Sequence, residues 1–150
     1  KIKKQSMKYS FLTTGLLFIS ILSMAQNKST DVTGIWKTTG DDPAKIQIYA
    51  VGDKFYGKII WLYKPILNGT ERVDTENPDK TKRTQSIVGL QMLEGFKFNG
   101  SDSWNGGTIY DPKTGKTYSC AITFKDNKTI KVRGYIGISL LGRTETWTRE

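Results

Sequence analysis

From about residue 30 onward the apolar positions of this chain recur every second residue, and helical spacing is hard to find. Ile46, Ile48 and Ala50 fall on one face of a short run, with Lys45, Gln47 and Tyr49 on the other, which is the pattern of a half-buried strand. Gly52-Asp53 then turns the chain into a second run. The same reading predicts strands over residues 32–37, 45–51, 54–62, 87–98, 104–110, 117–124, 129–135 and 141–149. The run 87–98 holds Gly89 and Gly95, either of which can bend it. Turn residues separate the runs: Thr39-Gly40-Asp41-Asp42-Pro43, Asp111-Pro112-Lys113-Thr114-Gly115 and Asp126-Asn127. One connection, residues 63–86, is long and rich in turn signals.

About eight strands joined mostly by short hairpins predict an all-β fold, a single antiparallel up-and-down barrel. Closure removes the exposed edges, and eight strands leave an interior for side chains or one small ligand. An eight-stranded meander also brings its last strand antiparallel to its first, so Trp147, Thr148 and Arg149 come level with Trp36. Gly34-Ile35-Trp36 resembles the opening of small barrels of the lipocalin type, and that resemblance implies that Gly34 and Trp36 plug one end with an Arg of the last strand stacked on the Trp; Arg149 fits by geometry, and Arg143 is the alternative.

The first 25 residues stand outside this pattern. Lys1 to Lys8 are basic, residues 11–22 are largely apolar, and Ser23-Met24-Ala25 ends in small side chains. That is the layout of a signal peptide, with cleavage expected before Gln26 and Met7 a plausible start. The apolar run is shorter than the ~20 residues of a spanning helix. The expectation is an exported protein, periplasmic or secreted, with no stable membrane insertion after cleavage and one barrel domain over residues 26–150.

Losing Lys1, Lys3, Lys4 and Lys8 would take the net charge from +9 to +5. The remaining lysines are scattered, which argues against a nucleic-acid surface. Cys120 is the only cysteine, so no internal disulfide can form, and its strand-like neighbours mark it as a small buried filler. The chain has no histidine. Ser-His-Asp and Cys-His catalysis are therefore excluded, and a standard zinc site nearly so. No cofactor is implied. The carboxylates Asp42, Asp79, Asp111 and Glu145 show no catalytic spacing.

The chemistry that remains is polar groups on barrel strands. Arg143, Glu145, Trp147 and Arg149 share one face of the last strand, and Thr144, Thr146 and Thr148 share the other. If Trp147 points inward, an Arg-Glu pair goes with it and marks a polar cavity; if the threonines do, the charges are a surface ladder. Arg133-Gly134-Tyr135 resembles the pair that intracellular fatty-acid-binding barrels close on a carboxylate. Simple alternation nonetheless puts Ile130, Val132, Ile136 and Ile138 on the inward face and Arg133 outside. Trp36, Trp61, Trp104, Tyr110, Tyr118 and Phe124 are core material that also suits a cavity wall. The candidate ligand-binding set is Arg133, Tyr135, Arg143, Glu145 and Tyr110. In the long connection, Asp74, Glu76 and Asp79 lack the spacing of a calcium loop and read as solvated acids. Gly115-Lys116-Thr117 lacks the first glycine of a phosphate loop.

A set of motifs runs in order through the chain: Gly34-Ile35-Trp36-Lys37-Thr38, Tyr56-Gly57-Lys58-Ile59, Asn77-Pro78-Asp79, Trp104-Asn105-Gly106-Gly107, Ile109-Tyr110-Asp111-Pro112, Val132-Arg133-Gly134-Tyr135 and Gly142-Arg143-Thr144-Glu145-Thr146-Trp147. In these the chain resembles the exported bacterial family called domain of unknown function 2147. Small barrels of the lipocalin type open in the same way, with a Gly-x-Trp first strand. The resemblance implies a calycin-like barrel and carries no catalytic residue. Two functions follow as expectations: an exported barrel binding a small amphiphilic or acyl ligand, or a filled barrel serving as a non-catalytic interaction module for an envelope protein.

Overall fold

A computed structural model of the chain describes residues 28–138 and 140–150. The leader expected over residues 1–25 lies outside the described residues. The strands are β1 (Gly34–Lys37), β2 (Ala44–Val51), β3 (Lys54–Leu62), β4 (Ile66–Leu67), β5 (Thr70–Glu71), β6 (Gln91–Phe98), β7 (Ser103–Asp111), β8 (Lys116–Asp126), β9 (Thr129–Tyr135) and β10 (Gly142–Arg149). Eight of them close a barrel in the order β1-β10-β9-β8-β7-β6-β3-β2, and β4 and β5 form a separate small hairpin. Every neighbouring pair is antiparallel, and Trp36 on β1 stands opposite Arg149 on β10. The up-and-down barrel read from the period-two pattern is the fold.

The inward faces are set by alternation. Ile46 and Ile48, Phe55 and Ile59, Ile122 and Phe124, and Ile130 and Val132 are all buried at every second position of their strands. Trp36, Trp104 and Trp147 are fully enclosed, at 0%, 0% and 1% exposure, so much of the interior is filled by side chains. Cys120 is one of these fillers, and burial pushes its thiol up to about 12, which keeps it protonated and inert.

One end of the barrel is shut by the segment before β1. Ser29–Val32 makes a short 3-10 turn that crosses this end. The Trp36 indole donates to the Val32 carbonyl at 2.8 Å, and the Trp104 indole donates to the Ser29 carbonyl at 3.0 Å. Both ring N–H groups are satisfied without leaving the core. The Arg149 guanidinium lies over the Trp36 ring, 4.1 Å from its centroid. It also donates to the carbonyls of Thr33, Asp31 and Asn127 at 2.8, 2.6 and 2.7 Å.

Several local expectations differ from the structure. Val32 belongs to the 3-10 turn, and residues 87–90 lie outside β6, which begins at Gln91. Gly95 sits inside β6 with φ +77°, the bend expected of that strand. Ile136 and Ile138 do not continue the inward face of β9, because the strand ends at Tyr135 and leaves them 68% and 61% exposed. Trp61 points out of β3 and is 37% exposed, while Lys45 lies 5.5 Å over its ring. The long connection is folded: it carries the β4–β5 hairpin, a bridge between Val73 and Ser86, and a 3-10 turn over Lys80–Lys82 capped by Asp79.

Candidate functional site

The strand directions put the C-terminal ends of β3, β7 and β9 and the starts of β6, β8 and β10 at the other, open end. Here the interior is not filled. A cup of about 440 Å³ opens between β7, β8, β9 and β10. Its wall is apolar where Ile109 and Val132 face in, and Leu141 and Ile136 from the β9–β10 loop stand at its lip. Gly134 faces the cup, and its missing side chain leaves the room: a Cβ there would already lie 3.3 Å from Ile109 Cγ2.

The polar groups of the cup are Arg143 and Glu145 of β10, with Asp111 of β7, Tyr118 of β8 and Tyr135 of β9 also in its lining. Trp147 is inward, so Glu145 and Arg143 lie on the same face, one and two steps nearer the mouth, and the threonines face outward. Of the two readings of this strand, the polar cavity is the one found. Arg143 Nη2 stands 3.5 Å from Glu145 Oε1, and the Trp147 indole donates to Glu145 Oε2 at 3.3 Å. The Glu145 side chain is 37% exposed and that of Arg143 84% exposed. The pair therefore sits at the rim, where water spares it most of the desolvation a buried pair would meet. Glu145 has two partners, whereas Arg143 is open to a further anion or carbonyl.

The sequence-derived set divides. Arg143, Glu145 and Tyr135 line the cup. Arg133 is turned to the outer face of β9, as alternation required, and its guanidinium donates to Thr144 Oγ1 at 2.7 Å and to the Leu140 carbonyl at 3.3 Å. It braces the loop at the mouth from outside, so no inward Arg-Tyr pair exists. Tyr110 also lies outside. Its hydroxyl donates to Asp74 Oδ1 at 2.8 Å, and Asn77 Nδ2 donates to Asp74 Oδ2 at 2.6 Å. Asp74 is completely enclosed, contrary to the expectation of a solvated loop acid. Burial, followed by the bond to Asp74 and its charge, pushes the Tyr110 phenol up to about 12.

This outer cluster pins the long connection against β7. A second anchor is Asp42 in the β1–β2 loop, which pairs with Arg72 at 3.0 Å and with Lys113 of the β7–β8 turn at 3.5 Å. No residue of the connection or of these ion pairs is among those that line the cup. Strand alternation from Val132 would have found Gly134; Ile109 depends on a register shift within β7, Leu141 and Ile136 on where a loop folds, and nothing in their spacing marks them.

The sequence matches the family described as "Uncharacterized protein conserved in bacteria (DUF2147)" over residues 34–149. The chain belongs to this family. The match starts at the glycine of β1 and ends at the stacked arginine of β10, so it covers the whole of this DUF2147 barrel. A solved structure similar to it is protein HP1028 from the human pathogen Helicobacter pylori, described as belonging to the lipocalin family. The two are 24% identical with a TM-score of 0.69, over 79% of this chain and 82% of that one. That likeness is one of fold, and the barrel is lipocalin-like. No curated protein matches the chain.

Proposed function

We propose that this DUF2147 protein is an exported barrel that binds one small amphiphilic molecule in the cup at its open end. The observation that carries this reading is the pairing of an apolar wall with a single open cation. Ile109, Val132 and Leu141 line a space of about 440 Å³, and Arg143 stands at its rim with its side chain 84% exposed. A site of this volume, mostly apolar with a few placed polar groups, is what small-ligand recognition requires. The apolar part of the ligand rests on the aliphatic wall, and an anionic or carbonyl head meets Arg143. Glu145 holds the guanidinium in place from below.

The three enclosed tryptophans bound the ligand's length. A long extended acyl chain would have to displace Trp147 or Val132, which are 1% and 3% exposed. The ligand is therefore compact: a short acyl chain or a small ring with a polar end. Export rests on the basic, apolar and small-residue order of residues 1–25.

Native mass spectrometry of the protein recovered from cell envelope without detergent tests this reading. A released mass identified as a small amphiphile, with retention reduced in Arg143→Ala, is the expected result. A bare mass that stays bare after incubation with hexanoate, decanoate and decylamine would overturn it and leave the filled-barrel interaction module in its place. An N-terminus other than Gln26 in the envelope fraction would overturn the expected cleavage.

A further inference from the structure

The β9–β10 loop stands out from the rest of the surface. Ile136, Ile138, Leu140 and Leu141 are 68%, 61%, 82% and 70% exposed, the four most exposed large apolar side chains among the described residues. They fall within six consecutive positions that contain no charge. Single exposed aliphatics need no explanation, but four on one loop tip do. The loop is tied across its base by the Ile136 N–H donating to the Leu141 carbonyl at 3.4 Å, and further out by the Leu141 N–H donating to the Ile138 carbonyl at 3.1 Å and the Arg133 guanidinium donating to the Leu140 carbonyl at 3.3 Å. The exposed side chains of Ile136, Ile138, Leu140 and Leu141 are thus carried by residues whose own backbone groups are hydrogen-bonded.

Along the chain the charges that flank the tip have one sign, while the carboxylates of Asp111 and Glu145 lie in the lining of the cup. Between Asp126 and Glu145 the chain holds no acid, and Lys131, Arg133 and Arg143 flank the loop. Lys131 and Arg133 lie on the outer face of β9, leading up to the tip, and Arg143 begins the descent on β10. Aliphatic side chains at a tip with cations set back from it match a bilayer in depth order, hydrocarbon first and anionic headgroups above it. A second copy of the chain suits the tip less well, because four exposed aliphatics within six consecutive positions fall far short of the roughly 20–30 residues a side of a stable protein interface.

We propose that the β9–β10 loop docks the barrel on an anionic lipid surface, with Ile138 and Leu140 entering the acyl boundary and Lys131, Arg133 and Arg143 meeting the headgroups. Ile136 and Leu141 belong both to this loop and to the lip of the cup. Docking therefore turns the cup mouth towards the membrane, where an amphiphile is at its highest local concentration. The docking itself does not require the cup to be loaded.

The test is co-sedimentation with vesicles of phosphatidylcholine, with and without phosphatidylglycerol. The chain is used as the cell processes it, with the N-terminus of each protein confirmed by intact mass. The wild-type protein should pellet with the anionic vesicles, less so as salt rises. The double variant Ile138→Glu, Leu140→Glu should bind about tenfold more weakly or worse, since each change puts a charge where an aliphatic side chain would enter the acyl boundary. Both residues lie outside the cup lining, so the variant should keep its unfolding midpoint and any mass retained in native spectrometry. Loss of vesicle binding with ligand retained separates this proposal from the proposed function. Equal pelleting of variant and wild type would overturn it, as would wild-type protein that stays in the supernatant with both vesicles. A lipid-free dimer dissolved by the same substitutions would also overturn it, and would make the tip's occupant a second copy of the chain.

Discussion

The Tyr110 hydroxyl donates to the carboxylate of Asp74 across 2.8 Å, on the outside of the barrel and with Asp74 wholly buried. A carboxylate in that position is held by two side-chain donors, Tyr110 and Asn77, and the long connection is held with it. Tyr110→Phe leaves one carboxylate oxygen without its donor and should cost about 1–3 kcal/mol. Urea unfolding gives the number, and faster amide exchange across residues 72–86 would show that the lost bond belongs to the connection. Unchanged exchange there would mean the connection is anchored elsewhere.

The same pair sets an alkaline limit. An unfolded tyrosine releases its proton near 10.0, and the folded Tyr110 holds it to about 12. Below that window both states are protonated and the bond contributes fully. As pH rises from about 10 to about 12 the unfolded chain loses the proton first, so stability falls. The slope of unfolding free energy against pH should flatten in this window for Tyr110→Phe.

Arg149 joins β10 to the plug of the closed end by one ring contact and three backbone carbonyls. A lysine keeps the charge but cannot supply a planar fork to three acceptors. Arg149→Lys should therefore destabilise by about 2 kcal/mol, and Trp36→Ala by ~3–5 kcal/mol, as judged by chemical denaturation. If the two losses simply add in the double variant, the ring contact carries no coupling and the plug is only packing.

Gly115 ends the β7–β8 turn at φ +67°, and a Cβ there would collide with the Glu76 carbonyl. Gly115→Ala meets both obstacles, left-handed strain and backbone overlap, so the turn must pull away from the connection. A loss above 1 kcal/mol is expected from strain alone at such a site, roughly the scale of a misplaced backbone conformation. A thermal midpoint within a degree or so of wild type would contradict the docking of this turn.

Asp42 gives an acid-side prediction. Its burial acts to raise the carboxyl pKa, but the hydrogen bond and charge of Arg72 and the charge of Lys113 outweigh it and hold the group below 3.8. An unfolded aspartate takes up its proton first as pH falls, so this contribution is present above about 3.8 and lost below it. Protease cleavage within residues 63–90 should rise in acid for the wild type. Asp42→Asn should show the raised cleavage already at neutral pH, with little further change on acidification.

The barrel was legible because its signal is local. Ile46 and Ile48, or Ile130 and Val132, bury their side chains simply by sitting two apart on a strand, and the pairing of Trp36 with Arg149 follows from counting eight strands round a closed sheet. Alternation also put Arg133 outside, against the chemistry that made it attractive. Tyr110 shows where that reasoning stops. Counting in twos from the buried Trp104 turns Tyr110 inward, but the ladder between β7 and β8 shifts between Trp104 and Gly107, with Gly106 at φ +73°. One extra residue reverses the phase, so Ile109 faces the cup and Tyr110 faces Asp74.

The sequence by itself thus determined the fold, the inward faces of β2 and β9 and the register that sets Arg149 beside Trp36, since each depends on a repeat of two or on a count of strands. Only the tertiary structure decided that Trp147 points inward and carries the Glu145–Arg143 pair to the rim, that Asp74 is buried, and that four aliphatic side chains crown the mouth. On β10 both faces offered an acceptable pattern, and in the loops no period exists. Which face is buried there depends on what the rest of the chain leaves unfilled, a property of packing that spacing does not encode.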